Sequence, residues 1–198
     1  MPFKLSGFAA FSFLNLTIAC MDTCLADNRQ MHEDIAKTST AFMQQLGRAM
    51  KTEMKNNGPV AAIKVCTEIS PATAGEISRK TGWKVTRTGT RVRNPVLAMP
   101  DTWEQKILAQ FQARAESGES LKNMTYSEWV NEPNGKYFRF MQAIGVEPVC
   151  LTCHGSSSGI PDSVKAVLQE RYPHDQATGY KAGDLRGAVS IKQPMPGT

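Results

Sequence analysis

The sequence predicts an α+β protein, a small antiparallel sheet with flanking helices and a long N-terminal helix, because helices come first and strands follow with helices between them. Three observations carry this. From about Asn28 to Asn57 the residues Met31, Ile35, Phe42, Leu46, Met50 and Met54 recur along one face of a long helix. Trp83-Lys84-Val85-Thr86-Arg87-Thr88 alternates apolar and polar side chains, as a half-buried strand does, and Gly187 to Lys192 reads as a closing strand.

The elements follow in order. Gly58-Pro59 stops the first helix, and Pro59 can open a second one carrying Val60, Ile63, Val65 and Cys66 until Ile69-Ser70-Pro71 interrupts it. That places Cys66 in a last helical turn. A short helix from Ala72 to Lys80 ends at Thr81-Gly82, and Arg91 to Pro95 continues extended after the first strand. Pro100-Asp101 caps a helix from Thr102 to about Glu116, which Gly118 ends. Lys136 to Met141 is a strand candidate, and Ile144 to Val149 leads into Cys150. A glycine- and serine-rich loop, Gly155 to Gly159, precedes a helix from Asp162 to Tyr172, and Tyr180 to Asp184 reads as a turn.

The N-terminus resembles a leader. One early positive charge, Lys4, an apolar run from Leu5 to Cys20 and a small residue at Ala26 make a secretory signal peptide over residues 1–26. Ser6, Gly7, Ser12, Asn15 and Thr17 break the run well short of the roughly twenty solidly apolar residues that a membrane span needs. Ala19-Cys20 also resembles a lipoprotein site, which would attach a lipid anchor at Cys20, and an uncleaved leader is a further alternative. Residues 27–198 then form one domain with a single core. The expected location is periplasmic, which argues against nucleic acid as a partner. The formal charge is +5, densest at Lys80, Lys84, Arg87, Arg91 and Arg93. That segment reads first as a solvated face, and alternatively as a partner for haem propionates or for an acidic protein.

Cys150-Leu151-Thr152-Cys153-His154 has the Cys-x-x-Cys-His spacing of covalent haem c attachment. Thiols three residues apart on one helical turn project to the same side, where each can add to one vinyl group, while the adjacent imidazole faces the iron. A zinc site would need a second ligand pair, and neither His32 nor His174 has a cysteine or histidine two to five residues away. A thioredoxin-like dithiol would need a βαβ unit, and none opens at Glu147-Pro148-Val149. Cysteine bookkeeping then isolates Cys66, a lone thiol in an oxidising compartment once Cys150 and Cys153 are consumed. It is either a buried small hydrophobe or an iron ligand opposite His154. The competitors for that position are His32, His174, Met43, Met50, Met54, Met99, Met124, Met141 and Met195.

Four stretches together resemble one family: Ala62-Ile63-Lys64-Val65-Cys66, Arg93-Asn94-Pro95 followed by Pro100-Asp101-Thr102-Trp103-Glu104, Cys150 to Gly155, and Asp184-Leu185-Arg186-Gly187-Ala188-Val189-Ser190. This is the c-type haem family of bacterial extracytoplasmic domains with a PAS-like fold, also found as the sensor portion of signalling proteins. The resemblance covers nearly the whole chain after the leader. It implies a PAS-like sheet with haem held against it and axial ligation by His154 and Cys66. The chain departs from the family pattern at Val96-Leu97-Ala98-Met99, where a polar asparagine is expected.

The expected function is that of a periplasmic monohaem protein in redox sensing or electron transfer, acting with a redox partner or signalling protein. The alternative is a small haem enzyme, a reductase or peroxidase with an open distal site, which would need a general acid or base beside the iron. A helical-bundle cytochrome is excluded by the predicted strands.

Overall fold

The computed structural model describes residues 12–195, with side chains from Arg29 onward. The expected leader, residues 1–26, and the lipid-anchor site at Cys20 lie outside the residues described with side chains. The chain divides into two units, residues 1–37 and 38–198. In the first, every described residue belongs to helix α1, Ser12–Lys64, which runs on into the second. Among the described residues no helix is long and apolar enough to cross a membrane.

In the second unit α1 is broken at Gly58, whose φ of 80° and ψ of 179° suit glycine only, and Pro59 follows as the opening residue of the continuing helix. The predicted stop and restart are both there. The next break is not. A π-helical segment, Val65–Ile69, connects α1 directly to α2, Ser70–Thr81, so Ser70-Pro71 continues the helix instead of interrupting it. Pro71 cannot donate to the turn before it, and it follows closely on the widened π-helical turn. Gly82 closes α2 in the left-handed conformation, its N–H bonded to Ser78 O.

Strand β1, Lys84–Thr88, comes next, and α3 is the single turn Pro95–Ala98, capped by Asn94, whose Oδ1 accepts from Val96 N and Leu97 N. The stretch read as extended ends there. Helix α4, Thr102–Glu116, opens with a reciprocal capping box between Asp101 and Glu104. Strands β2, Thr125–Glu132, and β3, Gly135–Gly145, form a hairpin. A 3-10 turn, Pro148–Cys150, passes into α5, Leu151–His154, and the chain finishes with α6, Asp162–Arg171, and β4, Leu185–Pro194.

The four strands make one antiparallel sheet in the order β1-β4-β3-β2. Alternation along the strands gives two apolar faces. On one, Met141, Ala143, Leu185 and Ala188 pack against Ile107, Leu108 and Phe111 of α4. On this side Arg139, only 4% exposed, meets Asp101, Glu104 and Glu132, and its guanidinium lies 4.3 Å from the Trp103 ring centre. Val85, Ile191 and Phe140 lie in register across three strands on the opposite face. There Gln142 bonds Thr40 of α1 at 3.4 Å, so the second half of α1 covers this side. The architecture is the α+β arrangement that the sequence predicts.

Candidate functional site

The Cys-x-x-Cys-His segment is fixed by its own backbone. After β3, Val146 N donates to Asp184 O, and Pro148 starts a 3-10 turn that delivers Cys150 to the single turn of α5. A one-turn helix leaves its last carbonyls without intrahelical partners. Here Arg93 Nη2 donates to Cys153 O at 2.5 Å, Tyr180 N to His154 O at 2.9 Å and Gly179 N to Gly155 O at 2.7 Å. The motif is thus tied to two distant segments, 91–93 and 175–180. Arg93 is itself held by Asp175, Nε to Oδ2 2.9 Å, and Asp175 accepts from Ala177 N at 2.7 Å.

His154 turns its Nδ1 to Ala177 O at 2.6 Å. Since a carbonyl only accepts, Nδ1 carries the proton and Nε2 keeps the lone pair. Burial, reinforced by the positive charges of Arg93 and Arg186, pushes the His154 pKa down to about 2, so the ring is neutral. Tyr180 meets it edge-on at 6.1 Å. Cys150 packs beside Val146, Ala177 and Tyr180, and Cys153 beside Ile63, Ile160, Val164, Leu168 and Tyr172. Both are half-buried free thiols. Burial raises the Cys150 pKa and pushes that of Cys153 up to about 11.

A cavity of about 300 Å³ opens on the face of the sheet that carries Val85. Its lining brings together His154 of α5 and Cys66 of the π-helical segment, with Phe42, Val85, Ile144 and Tyr172 as apolar wall. Cys66 therefore sits not in the last turn of an ordinary helix but where the helical register widens, a form that recurs at functional sites. Of the competitors for a place opposite His154, none lines this cavity among the described residues. Met124 and Met141 are buried in the core on the α4 side, Met99 and Met195 are exposed, and Met43, Met50 and Met54 are half-buried on α1. His32 is half-buried within residues 12–37, and His174 is exposed. The thiols of Cys150 and Cys153 are not among the lining residues. Among the described residues no three His, Cys, Asp or Glu side chains are grouped as a metal ion would need, so the zinc reading finds no ligand set.

The basic segment is corrected in part. Lys80 and Lys84 are exposed as a solvated face requires, but Arg87 and Arg93 line the cavity and Arg91 stacks over Tyr180 at 3.6 Å. Alternation explains it for Arg87, which shares the inward face of β1 with Val85. Sequence reasoning did not reach Arg186, Tyr172, Ala177 or Tyr180 as site residues. An arginine at the buried start of the closing strand, beside Leu185 and Gly187, was the available signal for Arg186.

The molecule is thus an α+β protein with a cavity on one face of a small antiparallel sheet, lined by His154 of the Cys-x-x-Cys-His turn and Cys66 of the π-helical segment. The chain belongs to the Tll0287-like family, whose model matches residues 22–194. Among solved structures it is similar to the cyanobacterial haem protein Tll0287, at 25% identity and a TM-score of 0.59 over 82% of this chain and 96% of that one. No curated protein matches.

Proposed function

We propose that this chain is a periplasmic c-type protein with one covalent haem, a PAS-like domain that works in redox sensing or electron transfer. Cys150 and Cys153 would form the two thioethers, and His154 and Cys66 would supply the axial donors. The Tll0287-like family and the described haem protein support haem as the group. The observation that carries the ligand assignment is that Cys66 and His154, far apart in sequence, line the same cavity.

The donor set fits the group. His154 donates its Nδ1 proton to Ala177 O, which fixes the tautomer and leaves Nε2 free, the arrangement usual for a metal-bound imidazole. Cys66 approaches from a segment that shares no element with the motif, as a donor on the opposite side requires. When bound, haem supplies reversible one-electron iron chemistry. A Cys66 thiolate favours the oxidised metal and lowers the potential relative to a His/Met pair. For the enzyme alternative a general acid or base is needed, and the lining holds no carboxylate and no second imidazole among the described residues.

Absorption and EPR spectra of the purified protein, with the mass of the intact chain, test the reading. The expected result is a covalent haem with a low-spin ferric thiolate spectrum that Cys66→Ala abolishes. An unchanged low-spin ferric spectrum in that variant would sink the ligation scheme.

A further inference from the structure

Two guanidiniums in the cavity have no carboxylate. Arg87 spends one N–H on Ser70 Oγ at 3.2 Å, and Arg186 spends one on Arg91 O at 3.1 Å. Each carries five donors. Neither forms a salt bridge with any described residue, and the Nε of Arg186, like those of Arg93 and Arg139, is buried without a hydrogen-bond partner. The two fully buried arginines are compensated differently. Arg93 has Asp175, and Arg139 has Asp101, Glu104 and Glu132. Both side chains are half-buried at the cavity wall, and a guanidinium taken partly out of water with no carboxylate beside it is best satisfied by an anion, so this pair invites one from outside the chain.

The backbone is pared back around it. A Cβ on Gly89 would lie 2.5 Å from Arg186 Nη1, and one on Gly187 only 2.0 Å from Thr88 O. Glycine at both positions lets β4 approach the end of β1 and lets the Arg186 side chain lie across it, into the cavity. Arg87 reaches the same cavity from β1, in register with Val189 and Gln142. Burial lowers the Arg186 pKa, and Arg87 and Arg93 press in the same direction, as three like charges near one cavity must.

We propose that Arg87 and Arg186 are the carboxylate-binding end of the cavity and hold the acidic side chains of a tetrapyrrole seated there. This rests on the haem reading above, in which those acids are the two propionates. Each guanidinium offers a planar fork that fits a carboxylate with two parallel bonds, and the pair neutralises two negative charges that would otherwise be desolvated beside the sheet. Arg93 is left out of this pair, because it already has Asp175 as counter-charge and donates to Cys153 O and Ala177 O.

The test uses the full chain purified free of tetrapyrrole and two probes, protoporphyrin IX and its dimethyl ester, titrated by fluorescence quenching. The chain should bind the diacid at least about tenfold more tightly than the ester, and Arg87→Gln with Arg186→Gln should remove that preference. Arg87→Lys and Arg186→Lys, which keep the charge, should retain part of it. Arg79→Gln, an exposed charge loss of the same size, should leave it intact. Equal affinity for the two probes, a preference that survives the double substitution, or the same loss in Arg79→Gln overturns the proposal. If haem is attached yet the preference is missing, the arginine assignment fails and the haem reading stands. If the protein carries no haem and binds neither porphyrin, both fail.

Discussion

Replacing Arg93 with alanine isolates the brace that fixes the motif. Arg93 is 7% exposed, its ion pair with Asp175 has side chains 8% and 11% exposed, and it caps the carbonyl of Cys153. Truncation therefore orphans a buried carboxylate and strips Cys153 O of its donor together. Breaking a buried pair by removing one partner costs about 3–5 kcal/mol. At this chain length about 2–4 °C of melting temperature accompany each kcal/mol, so a fall of about 6–20 °C is expected. Most of the loss should come from the stranded charge of Asp175. The combination Arg93→Leu with Asp175→Leu should then be less damaging than the sum of its singles by roughly 1–3 kcal/mol. Urea unfolding of the four proteins closes the cycle. A loss under about 1 kcal/mol for Arg93→Ala, or additive singles, would refute the view that this pair holds the motif in place.

Two further outcomes follow from local geometry. Gly187→Ala must force β1 from β4, because the new Cβ would sit 2.0 Å from Thr88 O, and the thermal midpoint should fall by the equivalent of about 3 kcal/mol or more. Gly183→Ala, with φ +93° but open space around it, should cost only the backbone strain, about 1–2 kcal/mol, and equal losses would discard the steric account. Burial raises the Asp101 pKa, but the Arg139 bond and the Glu104 N–H outweigh it and leave the carboxyl below its ordinary value of 3.8. The folded carboxylate thus contributes stability that is fully present above 3.8 and disappears as pH falls through its lower folded value. Asp101→Asn keeps the cap but not the charge. Its urea midpoint should lie below that of the parent at neutral pH and converge with it on acidification; a gap independent of pH would exclude the ion pair as the cause.

Legibility varied with how local the cause was. Helix α4 could be read to its bounds because Asp101 and Glu104 close a capping box within four residues. The stop at Gly58-Pro59 and the left-handed Gly82 are equally local. Strand β2 went unread since Tyr126, Trp129 and Val130 do not alternate, and an edge strand half-buried along nearly all its length has no apolar face to declare it. Ser70-Pro71 looked like an interruption because the π-helical register before it cannot be read from spacing. Within the candidate site the motif stands out by its spacing and Cys66 as the thiol left over, although residue type alone left the role of Cys66 open. Their meeting in one cavity, the carbonyl behind His154 and the arrival of Arg186 depend on strand pairing across the chain, and no short window of sequence contains that information.

The last strand is a central one. Strand β4 pairs with both β1 and β3, so until residues 185–194 are available β1 has no neighbour and β2-β3 is an isolated hairpin, marginal at best in water. Residues 185–194 follow β1, β2 and β3 in the chain, so during synthesis the sheet cannot close until they emerge. Until then Cys150 and Cys153, half-buried in the finished fold, belong to a half-built protein. Deleting β4 would remove the strand that joins β1 to the β2-β3 hairpin.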